Sequence, residues 1–139
     1  MAIPSNLRAV IADDASVTRR LLVRLLGELG VEIIGQATNG VEAVRHCLSL
    51  APDLLVSDLV MPKLTGVDVI RLVKTRLPVR IIIVTSHCDK GMHARCLAIG
   101  ASSVLVKPIG ADELRQTIEV LFRPAAAAPS SPPGAGRSR

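Results

Sequence analysis

Carboxylates, a hydroxyl and a lysine stand at the ends of short apolar runs in this chain. Asp13 and Asp14 follow the first such run, and Asp58 follows the third. Thr85 ends the fourth run, and Lys107 follows the fifth. Three carboxylates brought together repel one another and raise one another's pKa, so positive charge has to compensate them. Mg²⁺ suits a site built only from oxygen ligands, and a lysine ammonium supplies a second, fixed positive charge.

Phosphoryl transfer to a carboxylate is the chemistry that this set of residues suits. Aspartate is an established covalent acceptor of phosphoryl groups. The transferring group spreads negative charge over its oxygens, so catalysis consists mainly of positioning and charge neutralisation. Asp13 and Asp14 are candidates for holding the metal ion, and Asp58 is the candidate acceptor. Lys107 and Thr85 are the candidate ligands of the phosphoryl oxygens.

Short β-branched or apolar runs alternate with longer segments of helical periodicity. We predict strands at 7–12, 32–37, 54–57, 79–85 and 103–106, and helices at about 16–29, 40–50, 65–76, 91–99 and 111–122. This alternation predicts an α/β fold, with a parallel sheet that is covered by helices on both faces. Right-handed crossovers restrict the fold to a few doubly wound forms, in which ligands bind beyond the carboxyl ends of the strands.

Polar residues and glycines predict where the first helices begin and end. Asp14 or Ser16 is expected to cap the start of the first helix. Gly30 is expected to end that helix in a left-handed conformation. Asn39-Gly40 predicts a turn before the second helix.

The length and composition favour a single packed domain and argue against several kinds of binding site. The chain has 139 residues, which suit one domain, and 49% apolar against 21% charged residues argue for a packed body. One Phe and no Tyr or Trp argue against base-stacking platforms and aromatic cages. The formal net charge of +5 comes from scattered basic residues, so we expect a solvated surface and no direct nucleic-acid binding.

The cysteines and the hydropathy predict a cytoplasmic protein without a membrane span. Three cysteines without a CxxC motif predict neither a disulfide framework nor a tetrahedral zinc site. The apolar runs are too short to cross a membrane. Residues 1–123 are expected to form the folded domain, and the Pro-, Ala-, Ser- and Gly-rich residues 124–139 to be a disordered tail or the stub of an interdomain linker.

Short motifs at the strand ends carry a resemblance to a known family. The motifs are ADD at 12–14, SDLVMP at 57–62 followed by TG at 65–66, VTS at 84–86 and VKP at 106–108. Their order and spacing resemble the response-regulator receiver domain of two-component signalling, over nearly the whole folded part of the chain. The resemblance implies a flavodoxin-like sheet with the strand order 2-1-3-4-5. It also implies a phosphorylation-dependent switch whose output is binding rather than enzymatic turnover.

The resemblance implies a role for each acidic candidate. Asp58 would accept a phosphoryl group from a histidine kinase or a histidine phosphotransfer protein. Asp13 and Asp14 match the acidic pair that binds Mg²⁺ in that family. Asp58 itself and the backbone carbonyl of Val60 would complete the protein's metal ligands.

The resemblance also implies how the phosphoryl group would be sensed. Thr85 would move towards it and couple it to the face formed by the fourth helix, the fifth strand and the fifth helix. An output protein would bind that face, and a homodimer is plausible there. Lys107 would contact a phosphoryl oxygen, and its peptide bond to Pro108 would be cis.

Side chains on that face are expected to be partly buried or to meet a partner. We expect partial burial of Ile99, Val104, Leu114, Ile118 and Leu121, and contact with a partner at Arg95, Arg115 and Glu119.

Val104 departs from the family's usual pattern, and two further positions bear on how long a phosphoryl group would stay on the acceptor. Val104 stands where an aromatic switch residue is usual, so the surface readout must rely on loop and helix shifts. Val60 and His87 stand two residues after the acceptor and two residues after Thr85. Val60 could shield an aspartyl phosphate, and His87 could form a hydrogen bond near it.

Other functions on the same topology stay open as alternatives. The chain could be the receiver half of a larger regulator with a missing output domain, or a docking module that works without phosphorylation. A phosphatase with an aspartate nucleophile would need a carboxylate at the position of Val60. A flavin carrier would need a phosphate-binding loop where Asp13 and Asp14 stand, and aromatic rings against the flavin.

Overall fold

Strands and helices alternate throughout the part of the chain that the computed structural model describes, residues 3–123. The predicted tail at 124–139 lies outside the described residues. The strands are β1 (Arg8–Ala12), β2 (Glu32–Ala37), β3 (Leu54–Asp58), β4 (Arg80–Thr85) and β5 (Ser103–Val106). The helices are α1 (Ser16–Glu28), α2 (Gly40–Leu50), α3 (Gly66–Lys74), α4 (Lys90–Ala98) and α5 (Ala111–Leu121). Within 3–123, no helix is long and apolar enough to cross a membrane.

The strands form one parallel sheet in the order β2-β1-β3-β4-β5, which confirms the predicted α/β architecture and strand order. β1 pairs with β2 on one side and with β3 on the other, and β4 and β5 extend the sheet beyond β3. In register, Ala12 pairs with Ser57, and Thr85 pairs with Val106. The residues that follow these strand ends therefore meet at one edge of the sheet.

Helices cover both faces of the sheet, because side chains alternate along each strand. Val10 and Ala12 belong to the core that packs against α2, α3 and α4. Ala9 and Ile11 belong to the core that packs against α1 and α5. Both cores are almost wholly aliphatic, as a chain with a single aromatic residue requires.

The start of α1 differs from the sequence prediction. Ala15 occupies the N-cap position, and no side chain caps the helix there, so neither Asp14 nor Ser16 has the predicted role. Asp13 instead accepts a hydrogen bond from the backbone N–H of Ala15 at 2.9 Å. That bond turns the Asp13 side chain back over the loop. Gly30 follows α1 with a φ of 84°, which confirms the predicted left-handed end.

Side-chain caps start the two helices that follow. Asn39 is the N-cap of α2 and accepts a hydrogen bond from the backbone of Glu42, so the predicted turn is the start of the helix itself. Thr65 caps α3 and forms a reciprocal capping box with Asp68.

Gly66 allows α3 to begin directly against the loop that follows β3. Its N–H donates to the carbonyl of Leu59 at 2.7 Å. A Cβ atom at this position would lie 2.8 Å from the backbone oxygen of Asp58 and 2.8 Å from the Cα of Leu59. The absence of a side chain at Gly66 therefore helps to position Asp58.

Candidate functional site

Three aspartates converge where the carboxyl ends of β1 and β3 meet. Asp13 and Asp14 follow β1, and Asp58 is the last residue of β3. One carboxylate oxygen from each residue lies within 4.8 Å of the others. Asp13 is buried, Asp14 is exposed, and the side chain of Asp58 is 12% exposed. The structure thus brings together the three predicted carboxylates, which we call the carboxylate cluster.

Lys107 follows β5 and reaches the carboxylate cluster across the sheet edge. Its Nζ lies 3.0 Å from Oδ2 of Asp13 and 3.6 Å from Oδ2 of Asp58. Burial lowers the pKa of Lys107, but the hydrogen bond to Asp13 and the charges of both carboxylates outweigh burial and raise this pKa above its usual value. The ammonium therefore stays charged beside the cluster. The peptide bond from Lys107 to Pro108 is cis, as the resemblance implied.

Burial and charge act in opposite directions on Asp58. Burial is the largest cause that raises the pKa of this carboxyl, and the charge of Asp13 raises it further. The charge of Lys107 and backbone hydrogen bonds from Leu59 and Val60 lower it, but the net pKa is above its usual value. The N–H of Leu59 donates to Oδ1 of Asp58 at 2.7 Å. Repulsion within the cluster, which the sequence predicted, is thus a smaller effect than loss of solvation.

Asp13 is held by more contacts than the sequence indicated. Its backbone N–H donates to the carbonyl of Ala37 at 3.0 Å, which ties the end of β1 to the end of β2. Arg19 donates from Nη1 to the carbonyl of Asp13 at 2.8 Å. The sequence analysis did not single out Arg19. No pattern in the sequence distinguishes Arg19 from the neighbouring arginines of α1, so this contact is visible only in the structure.

Thr85 lies buried at the end of β4 and is linked to the loop that leads into α4. Its Oγ1 accepts a hydrogen bond from the backbone N–H of His87 at 3.0 Å and lies 3.4 Å from Nδ1 of the same residue. Nε2 of His93, in α4, donates to the carbonyl of His87 at 2.8 Å. The backbone N–H of Lys107 donates to the carbonyl of Thr85 at 2.8 Å, so the two candidate phosphoryl ligands are adjacent. The contact of His93 is a link that the sequence did not reveal.

The two valines named in the sequence analysis have different environments. The side chain of Val60 is 55% exposed next to the carboxylate cluster. The role of its carbonyl as a metal ligand stays a prediction. Val104 is half-buried and packs against the core on the side of α2, α3 and α4. The smaller side chain therefore takes part in packing at the position where the family usually has an aromatic residue.

The face formed by α4, β5 and α5 differs in part from the prediction. Leu114 and Ile118 are fully buried in the core rather than partly exposed on that face, because they form the inner side of α5. Arg115 pairs with Asp112 at 3.2 Å and with Glu119 at 3.4 Å. Arg115 and Glu119, which were expected to meet a partner, therefore already pair with each other. The other three apolar residues predicted there are half-buried, as expected.

A cavity of about 380 Å³ lies between α3 and α4, beside the carboxylate cluster. We call it the α3–α4 cleft; its lining includes the apolar residues Leu59, Val67 and Met92 and the two arginines Arg71 and Arg95. Leu59 directly follows the last residue of β3, so the cleft borders the candidate acceptor. No sequence pattern predicts this cleft, because its lining residues come from separate segments of the chain.

Comparisons with known proteins agree on one kind of domain. A family model described as the response regulator receiver domain matches residues 9–119. The chemotaxis protein CheY of Thermotoga maritima is 34% identical over 102 residues, which are 73% of this chain and 85% of that protein. A chain in the crystal structure of the CheX-CheY-BeF₃-Mg²⁺ complex from Borrelia burgdorferi has a TM-score of 0.80 and 26% identity over 86% of this chain and 90% of that one.

Longer proteins match as well, and this chain corresponds to only part of each. A protein-glutamate methylesterase/protein-glutamine glutaminase of Geobacter sulfurreducens is 35% identical over 104 residues, which are 74% of this chain and 28% of that protein. The chain spans between 28% and 36% of the length of three such methylesterases. The matched regions of these three relatives are 104, 132 and 107 residues long.

Proposed function

The chain belongs to the response regulator receiver domain family of two-component signalling, and we propose that it is a phosphorylation-dependent switch in which Asp58 accepts the phosphoryl group. The observation that carries this proposal is the geometry of one ammonium and three carboxylates. Lys107 lies 3.0 Å from Asp13 and 3.6 Å from Asp58, within a cluster of acidic oxygens no more than 4.8 Å apart. Such a site neutralises negative charge while leaving a carboxylate oxygen available as a nucleophile.

The proposed transfer moves a phosphoryl group from a histidine nitrogen to a carboxylate oxygen. The bond from phosphorus to the nitrogen of the donor breaks as a bond to an Asp58 oxygen forms, so the product is an aspartyl phosphate and a free histidine. Lys107 stabilises the negative charge that spreads over the phosphoryl oxygens. Thr85 donates its hydroxyl hydrogen to one of those oxygens after it leaves its present contacts with His87.

The donor set fits Mg²⁺. Hard carboxylate oxygens from Asp13, Asp14 and Asp58 are ligands that this ion prefers, and exposure of Asp14 leaves room for the waters that Mg²⁺ usually keeps. We propose that these three residues and the carbonyl of Val60 would hold the ion. When bound, Mg²⁺ supplies positive charge that offsets both the acidic cluster and the incoming phosphoryl group.

The proposed partners are a phosphodonor and an output protein. The donor would be a histidine kinase or a histidine phosphotransfer protein, as befits a member of this family. The output would be a change in binding at the face of α4, β5 and α5, which could also serve a homodimer. Arg95 is exposed on α4 but lines the cavity towards α3, and Arg115 would first have to leave its acidic partners.

Intact-mass analysis tests the phosphorylation directly. Incubation with Mg²⁺ and acetyl phosphate should add one phosphoryl group to the wild type. The adduct should be absent from Asp58→Asn and from wild type treated with EDTA. Asp112→Asn is the matched control, because it removes the same charge from a side chain that is 87% exposed on α5. An adduct that persists in Asp58→Asn would refute the assignment of the acceptor.

The alternative of a docking module without phosphorylation has a separate outcome. Pull-down experiments with the phosphorylated and unphosphorylated forms should recover different partners if the chain is a switch. Equal recovery of the same partner by wild type and by Asp58→Asn would favour the docking module. The methylesterase activity in the names of the longer relatives is not part of this proposal, because the chain matches only about a third of their length.

A further inference from the structure

The α3–α4 cleft combines an apolar wall with positive charge. Leu59 and Val67 are buried beneath it, and Met92 is half-buried at its side. A thioether side chain such as that of Met92 adapts its shape to different ligands. The volume of about 380 Å³ lies at the lower end of the range for small-molecule sites, so the cleft suits a compact ligand rather than a folded partner.

The charges along the cleft are not equivalent, although two arginines and two aspartates contribute to the lining. Asp68 accepts hydrogen bonds from both the N–H and the hydroxyl of Thr65 in the capping box of α3. Asp89 caps α4 and accepts from the N–H groups of Gly91 and Met92. One oxygen of each carboxylate therefore already accepts hydrogen bonds at the start of a helix: Oδ2 of Asp68 at α3 and Oδ1 of Asp89 at α4.

Arg71 and Arg95 differ from these aspartates. Both side chains are exposed, and among residues 3–123 neither has a carboxylate within ion-pairing distance or a hydrogen-bond acceptor for its guanidinium. A guanidinium presents parallel N–H donors that match a carboxylate, a sulfonate or a phosphate. Arg71 and Arg95 thus supply charged donors that no described residue engages, whereas both aspartates are already engaged at the starts of α3 and α4.

We propose that the α3–α4 cleft is a binding site for a small molecule that has a compact apolar body and one anionic group. The body packs against Leu59, Val67 and Met92, and the anionic group binds Arg71 and Arg95. Because the four charges of the lining nearly cancel, recognition depends on direct contact in the cleft and not on long-range attraction. The cleft borders the carboxylate cluster through Val60 and His87, but none of the residues proposed to hold the ligand belongs to that cluster, so the binding does not require phosphorylation of Asp58.

Two matched dyes test both parts of the recognition. 8-Anilinonaphthalene-1-sulfonate carries an apolar body and a sulfonate, and N-phenyl-1-naphthylamine has the same body without the charge. The chain has no Trp and no Tyr, so protein emission does not interfere with either dye. Fluorescence titrations of the folded wild type in EDTA should give saturable binding of the sulfonate dye at one site, and clearly weaker binding of the neutral dye.

Substitutions then identify the groups that bind the sulfonate. The double variant Arg71→Gln/Arg95→Gln should weaken binding of the sulfonate dye about tenfold or more and leave the neutral dye unaffected. Arg24→Gln, which removes an exposed arginine from α1, is the matched control and should bind both dyes like the wild type. Circular dichroism and thermal unfolding check that each variant is folded. If the double variant is unfolded, the single variants Arg71→Gln and Arg95→Gln are measured instead.

Amide chemical shifts locate the dye. Titration of the isotope-labelled wild type should shift signals from the start of α3, from the loop after β4 and from α4, which together surround the cleft. Equal affinity of the sulfonate dye for the wild type and the arginine variants would overturn the proposal. Shifts concentrated on α1 or α5, or equal loss of binding in Arg24→Gln, would overturn it as well.

Discussion

Replacing Gly66 by alanine tests how closely α3 must approach the residue that is proposed to accept the phosphoryl group. The added Cβ would lie 2.8 Å from the carbonyl oxygen of Asp58 and 2.8 Å from the Cα of Leu59, whereas ordinary contacts begin at about 3.4 Å. Both neighbours are backbone atoms, so no side-chain rotation relieves the clash. The helix start or the loop has to move by several tenths of an ångström.

The cost follows from this forced displacement. Overpacking of this kind destabilises by about 1–3 kcal/mol, which for a domain of this size lowers the melting temperature by about 3–10 °C. Gly27→Ala is the matched control, because a Cβ there meets nothing within 4 Å and the residue lies in α1. Alanine in a helix is more stable than glycine by about 0.5–1 kcal/mol, so this control should unfold at a higher temperature than wild type.

Far-UV circular dichroism measures both variants, since the chain has no Trp or Tyr to report by fluorescence. Thermal and urea unfolding should show opposite signs for the two glycine-to-alanine changes. If Asp58 is the acceptor, Gly66→Ala should also be phosphorylated more slowly by acetyl phosphate. A melting temperature for Gly66→Ala at or above that of wild type would refute the argument from the close approach.

Four further outcomes are expected: two from the cysteines, one from the β1–α1 loop and one from α4. Ellman's reagent should modify Cys88 alone in the folded protein and all three thiols in denaturant, because the other two are buried. Burial raises the pKa of Cys47 to about 12, so its contribution to stability is fully present below the pKa of about 9 in the unfolded chain and is lost as pH rises towards 12. The free energy of unfolding of the wild type, measured with urea, should therefore fall between pH 8 and pH 10 by about 1 kcal/mol more than that of Cys47→Ala. Equal falls would contradict this. Arg19→Ala should destabilise the protein by about 1 kcal/mol and weaken calorimetric Mg²⁺ binding, because the carbonyl of Asp13 loses its donor, whereas Arg20→Ala should change neither. His93→Ala frees the loop after β4 and should alter the lifetime of an aspartyl phosphate measured by intact mass; an unchanged lifetime would show that the loop contact is irrelevant to the site.

The fold could be predicted from the sequence because the local hydrophobic patterns of the segments match the strands and helices that they form. Apolar runs that suit strands buried on both faces alternate with amphipathic segments, and a parallel sheet with right-handed crossovers is the arrangement that buries both. Since parallel strands all end at one edge, the positions of Asp13, Asp58 and Lys107 at the ends of three strands predicted their proximity. Predicting that these side chains lie close together required no long-range information beyond the strand order.

Contacts between segments that are distant in the chain, or between a side chain and a carbonyl, were decided by the tertiary structure. No pattern indicates that Arg19 donates to the carbonyl of Asp13, or that His93 donates to that of His87, because every residue offers a carbonyl. The absence of a side-chain cap on α1 has the same origin, since the nearby Asp13 carboxylate is used by Ala15 and Lys107 instead.

Composition and periodicity by themselves determined the class of fold, the aliphatic core and the edge at which charged groups gather. How deeply each side chain is buried was decided by the packing of the whole molecule. The pKa of Asp58 depends more on loss of solvation than on its acidic neighbour Asp13, and Leu114 and Ile118 are fully buried in the core. The α3–α4 cleft exists only because residues from separate segments of the chain come together next to the end of β3. Burial and cavities depend on how all the elements fill space together, and a one-dimensional pattern carries no such information.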